Sequence, residues 1–302
     1  MEMQKILKRE SEHSFPIETP KIDGLAADFT LGVSFGRFVL YVLLFTIFDS
    51  AFRYVSIGVA SVGSVVSSVI SGALLAAVLG FVFSRLPYRR LTRIAMAWSS
   101  LFIIQSLSNL VEAVFFTTAV PTATIFVAAL VFGLIVTLPE AILAVMLFSP
   151  EKRDRSFKDD IRNYFGKRTG TSWLGRIALG SLVYFPIYYA FGSIIAPWIL
   201  SFYDNPSQVF GLTIPPIGVI IPLQLLRGFL YIVALLPIIA SLEVSPRSML
   251  LSVAGLIFIA GAFVPYIAYS ELPSFLRLVH GLEILADSIV YAAALVYILR
   301  IE

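Results

Sequence analysis

Residues 217–240 read IGVIIPLQLLRGFLYIVALLPIIA, an apolar run with one charge, Arg227, near its centre and Gln224 one helical turn before it. At ~1.5 Å per residue a helix of this length spans a ~30 Å hydrocarbon core, and Arg227 then falls near the midplane. Arginine keeps its proton at that depth, and an unpaired guanidinium there costs at least ~3 kcal/mol on insertion scales. Two expectations follow: the stretch crosses a membrane, and the rest of the chain brings anions or water to Arg227.

The whole composition agrees with this stretch. Of 302 residues, 58% are hydrophobic and 14% charged, and the mean hydropathy is +0.90, well outside the range of soluble domains. Apolar runs long enough to cross occur at roughly 31–50, 55–83, 94–118, 122–148, 174–201, 217–240, 248–269 and 279–299. The expected fold is an all-α polytopic membrane protein, a bundle of about eight transmembrane helices in a single transmembrane domain over 31–302. A polar tail of mixed charge, residues 1–30, precedes it. The chain has no cysteine, which excludes disulfides, thiolate metal sites and cysteine nucleophiles.

Basic residues set the expected orientation. Of the 22 Lys and Arg, eighteen fall in the tail, in the loop after the second run, around the loop after the fourth (Lys152 to Arg176, the last just inside the fifth run), or at Arg247 and Arg300. Only Arg53 and Arg277 fall on the other side, and Arg37 and Arg227 lie within runs. Cytoplasmic loops are enriched in Lys and Arg, so both termini are expected in the cytoplasm, with the chain in the plasma membrane. The same placement explains the net charge of +3 and the pI near 9.1: the partner is the lipid bilayer, not nucleic acid. Between the fourth and fifth runs, Phe157, Ile161, Tyr164 and Phe165 recur at helical spacing, with Ser156 placed to cap and Gly166 to terminate. A short amphipathic helix at about 155–166 on the cytoplasmic interface is expected, its basic residues facing anionic head groups.

Packing signals are concentrated in a few runs. The second carries small residues at every fourth position, Ala60, Ser64, Ser68, Gly72, Ala76 and Gly80, a pattern that lets helix backbones approach closely. The fifth and sixth contain Pro186, Pro197, Pro222 and Pro237, with Pro215 and Pro216 at the start of the sixth, so kinked or broken spans are expected there. Arg37–Tyr41 resembles Arg227–Tyr231, and Ser84–Pro87 resembles Ser270–Pro273, but the matches are short, use common membrane residues, and are of the kind chance supplies.

Few carboxylates are available to Arg227: Glu112 in the third run beside Asn109 and Gln105, Glu140 in the fourth after Pro139, and Glu283 and Asp287 in the last. By depth, Asp287 and Glu283 suit it best. His280, Glu283 and Asp287 share one helical face, and this face is expected to look at Arg227. The candidate ligand-binding set is Arg227, Asp287, Glu283, Glu112, Gln224 and Asn109. More carboxyls than cations lie at depth, which points to a polar cavity.

Sharper chemistry finds less support. His280, Glu283 and Asp287 have usable metal-ligand types, yet a single histidine at a span boundary reads as an interfacial side chain, so no metal or other cofactor is assigned. Gly32-Val-Ser34-Phe-Gly36 matches a nucleophile-elbow pattern but begins a membrane helix, far from His280. Eight runs with buried glutamates superficially resemble the CAAX-type prenyl proteases, but the adjacent Glu-Glu pair and two intramembrane histidines of that family are missing. No catalytic motif is found. The expectation is a small-solute or ion transporter with its polar site among the third, sixth and eighth runs, open toward the outside. The alternative is a non-transporting accessory subunit, with a membrane-protein partner or as a homo-oligomer, whose buried charges tie helices together.

Overall fold

The computed structural model describes residues 33–57, 61–150, 155–203, 211–267 and 272–300. The expected tail and Ala60 of the small-residue stripe lie outside the described residues. All described residues are helical or connecting, with no strand among them. Eight helical spans are long and apolar enough to cross a membrane: Phe35–Tyr54, Val62–Phe83, Arg90–Phe116, Ala123–Leu147, Gly170–Tyr203, Ile217–Ser241, Pro246–Tyr266 and Ser274–Leu299. They are numbered one to eight below. Their outward faces carry exposed Leu, Ile, Val and Phe, for example Leu43, Ile135, Leu182 and Leu282, as lipid contact requires.

The spans fall into two groups joined through a middle pair. Spans one, two and four pack together, and so do five, six and eight; spans three and seven contact each other and members of both groups. Within the first group Ser68, Gly72, Ala76 and Gly80 of the stripe are buried. At Gly72 the Phe45 ring of span one approaches so closely that a Cβ would lie 2.9 Å from it. Ser64 instead helps start the helix, exchanging capping hydrogen bonds with Ser61.

Spans five and six are closer still. A Cβ on Gly228 would lie 2.6 Å from the Ser181 carbonyl oxygen, so only glycine permits this backbone contact. The Tyr291 hydroxyl of span eight sits 3.2 Å from the Gly180 carbonyl and 3.0 Å from that of Gly228, joining three helices at one point.

The prolines of spans five and six do not break them: each is one continuous helix through Pro186 and Pro197, and through Pro222 and Pro237. A proline removes a single donor, and neighbouring helices tolerate the freed carbonyl. Departure from α-geometry occurs instead in the middle pair. Span three is α3 (Arg90–Leu101), the π-helical segment π1 (Phe102–Leu107) and α4 (Ser108–Phe116). Span seven is α9 (Pro246–Gly255) followed by π2 (Leu256–Ile267), α1 and α2 being the first two spans, α5 the fourth, α7 and α8 the fifth and sixth, and α10 the last. The two π-segments touch where Gly261 faces Ile104.

Between spans four and five lies α6 (Phe157–Gly166), capped by Ser156. Its apolar side packs on the bundle: Phe157 meets Tyr88 edge-on at 5.4 Å, and Tyr164 lies 4.8 Å from the Trp173 ring. The end of the bundle that carries α6 is called the loop-helix end.

Candidate functional site

Arg227 is 6% exposed and fully engaged by neighbours. Its Nη1 donates to Glu112 Oε1 at 2.7 Å and to Gln224 Oε1 at 3.1 Å. Nε donates to the Ser108 hydroxyl at 3.3 Å, and Nη2 to the Tyr231 hydroxyl at 3.2 Å. The Tyr184 and Tyr231 rings lie 5.6 and 5.9 Å from the guanidinium carbon, within cation–π range. The expected pairing with Asp287 or Glu283 is therefore corrected. Among the described residues the ion-pair partner is Glu112, one turn from the end of span three. A long arginine side chain displaces its charge along the helix, so Cα depth is a poor guide to partner.

Asp287 and Glu283 nonetheless share a cavity with Arg227. The cavity, about 320 Å³, runs between spans three, five, six, seven and eight, from Asp287 in mid-span to Ala119, Leu212 and Leu272 at the end opposite the loop helix. Its rim is held by backbone bonds between two loops, Thr118 N–H to Gly211 O at 3.2 Å and Thr213 N–H to Phe116 O at 2.9 Å.

Five of the six residues selected from the sequence, Arg227, Asp287, Glu283, Glu112 and Asn109, line this cavity. Gln224 does not; fully buried, it braces Arg227 from behind. Asp287 is 4% exposed, and its hydrogen bond within the protein comes from the adjacent Ser288 hydroxyl. Glu283 Oε2 lies 2.7 Å from His280 Nδ1, and His280 Nε2 lies 3.1 Å from the Tyr203 hydroxyl. Asn109 spends both amide hydrogens on carbonyls, Gln105 O at 2.9 Å and Gly261 O at 2.7 Å, and so fastens π1 to π2 beside the cavity.

The chain matches no family model, no curated protein and no solved structure. The site must be read from its own chemistry. Its walls hold tyrosines that sequence reasoning passed over: Tyr184, Tyr188, Tyr203, Tyr231 and Tyr266. A signal was present, since a phenol inside an apolar run needs a partner for its hydroxyl. Tyr184 and Tyr188 also stand one turn apart, as do Arg227 and Tyr231.

Other readings of the sequence fare differently. Ser34 starts span one, its carbonyl accepting from the Arg37 and Phe38 amides, and it lies at the loop-helix end, away from His280. Arg37, compared above with Arg227, is exposed. Glu140 is buried outside the cavity, between spans one, three and four.

Proposed function

We propose that this integral membrane protein binds and transports a small cationic solute of the ammonium class through the cavity between spans three and five to eight. The observation that carries the reading is a charge imbalance in one place. Arg227 already has its counter-charge in Glu112, and Asp287 and Glu283 still face the same space. Buried carboxylates are stabilised by a cation, and aromatic rings around them attract one through their faces. Tyr188, Tyr203 and Tyr266 provide such rings on the cavity wall. In this reading Asp287 binds the cation, Glu283 is oriented by His280, and Arg227 with Glu112 holds spans three and six in register. The cavity mouth faces outward if both termini are cytoplasmic, as the basic-residue bias favours.

The Arg227–Glu112 bond also favours a second reading, in which the buried charges are interhelical ties of a non-transporting subunit. Purified protein in liposomes separates the two. Uptake of radiolabelled tetramethylammonium or choline is expected to saturate, and Asp287→Asn to reduce it about tenfold or more, since a charged hydrogen bond contributes ~1.5–3 kcal/mol. Thermal stability should change little, because Asn retains the shape. Absence of saturable uptake or binding for either probe, or uptake unchanged in Asp287→Asn, overturns the transport reading.

A further inference from the structure

On the far side of span three from the cavity, Glu140 of span four is 4% exposed. Its Oε1 accepts from Gln105 Nε2 at 3.5 Å. The atoms left over, Glu140 Oε2 and Gln105 Oε1, are both buried and without a hydrogen-bond partner among the described residues. An ionised carboxyl has only acceptors, so it cannot satisfy the amide oxygen; turning the amide over exchanges its two ends but still sets one acceptor against another. A proton on Glu140 removes the conflict. The acid O–H donates to the amide oxygen while the amide N–H donates to the acid, closing the paired ring that carboxylic acids form with primary amides.

The surroundings press in the same direction. Span one places Asp49 within electrostatic range of Glu140; the neutral Tyr41 phenol of the same span also faces it and adds no charge. Asp49 is held by Arg53 Nε at 2.8 Å and by the Ser68 hydroxyl of span two. Among the described residues Glu140 itself makes no ion pair. An ionised Glu140 would be a buried anion placed near a second, partly buried one, Asp49, at a large solvation cost.

We propose that Glu140 is a proton-binding site, neutral and donating to Gln105 in this conformation, whose release of the proton is transmitted to the cavity through π1. The step is simple exchange: the carboxyl O–H bond breaks, its electron pair stays on the carboxylate, and the proton passes to water. Gln105 belongs to π1, and its carbonyl accepts from Asn109, which lines the cavity and also holds Gly261 of π2. Deprotonation takes away the one proton that could satisfy both buried atoms, Glu140 Oε2 and Gln105 Oε1, and a shift of Gln105 and the turn that carries it would relieve the loss. π-segments are frequent at functional sites and are natural places for such a shift. The proposal rests on the transport reading only for its purpose, which would be to couple cation movement to a proton.

The test uses the full chain in lipid vesicles. Infrared spectra at neutral pH should show a protonated-carboxyl carbonyl band that disappears in Glu140→Gln, a change that preserves a neutral hydrogen-bonding ring. Gln105→Met should shift the band to higher frequency by removing its partner. A spectrum identical in wild type and Glu140→Gln overturns the site, as does a band that Gln105→Met leaves in place. For transmission, the Ala113→Cys thiol at the cavity wall is modified by a water-soluble maleimide from neutral to alkaline pH. The ratio of its rates with and without Glu140→Gln should change about fivefold or more, the lower range of ordinary coupling between sites. A ratio that stays constant overturns the transmission. Neither readout requires an ammonium, so failure of the transport reading would leave both signals in place.

Discussion

Glu112 supplies the counter-charge of a guanidinium that is otherwise met by neutral groups, Gln224, Ser108 and two tyrosines. Removing one partner of a fully dry ion pair costs ~3–5 kcal/mol. Here the Glu112 side chain is 17% exposed and borders the cavity, where water can enter. We therefore expect Glu112→Ala to lower stability by about 2 kcal/mol, measured as the change in unfolding midpoint in detergent, with Glu112→Gln retaining roughly half of that because it still accepts a hydrogen bond. No effect in either variant would mean that the pair contributes nothing to the fold. At this scale the sequence was legible in kind and illegible in pairing. That Arg227 needed an anion followed from its depth, and the four candidate carboxyls could be named. Which one reaches it depends on the direction of the side chain and the relative shift of spans three and six, neither of which leaves a mark in composition.

Elements meet here through residues whose importance depends on a neighbour absent from their own span. Gly228 is one glycine within an apolar run, and nothing in the run shows that Ser181 of span five lies against it. Gly228→Ala would force a Cβ to within 2.6 Å of backbone, which cannot yield as a side chain can, so a loss of ~1–3 kcal/mol is expected. Gly218→Ala on the same helix meets nothing within 4 Å and should be neutral or slightly stabilising. Equal effects in thermal unfolding would refute the close contact. The π-segments were illegible for a related reason: Gln105, Ser108, Asn109 and Glu112 are spaced as an ordinary α-helical face, and the wider turn is recognisable only once Asn109 is seen bound to Gly261. The loop helix shows the opposite case, because its spacing, cap and terminator all lie within the eleven residues 156–166. Its Tyr164 hydroxyl donates to the Leu299 carbonyl at 2.6 Å. Burial raises the Tyr164 pKa well above its ordinary value, against the opposing charges of Arg168 and Arg176. A raised folded-state pKa gives stability that is complete below ~10 and is lost as pH rises beyond it. The stability gap between wild type and Tyr164→Phe should therefore be constant from neutral pH to ~10 and shrink above it, as followed by unfolding midpoints across that range.

Across the whole molecule, basic residues gather at the loop-helix end, and several of them satisfy helix C-termini there. Arg93, wholly buried, donates to the carbonyls of Phe83 at 3.4 Å and Phe148 at 3.1 Å, closing spans two and four. Arg176 donates to the Ile298 carbonyl, and Arg300 to that of Val244 at 2.7 Å, closing spans eight and six. Cations at helix C-termini are favourable in any solvent, so these arginines alone would not fix an orientation. However, the opposite end also receives four helix C-termini, those of spans one, three, five and seven, while among the described residues only Arg53 and Arg277 of the Lys and Arg lie there. Capping needs are equal at the two ends and the basic residues are not, so the bias keeps its topological meaning. Because the chain has no cysteine, single cysteines can be read without background in intact cells. Thiols introduced at Lys158 and Lys167 should resist a membrane-impermeant maleimide until the cells are opened, whereas those at Thr122 and Thr213 should react at once. The reverse pattern would invert the bundle and turn the cavity mouth toward the cytoplasm, so that the same carboxyls would collect their cation from inside the cell.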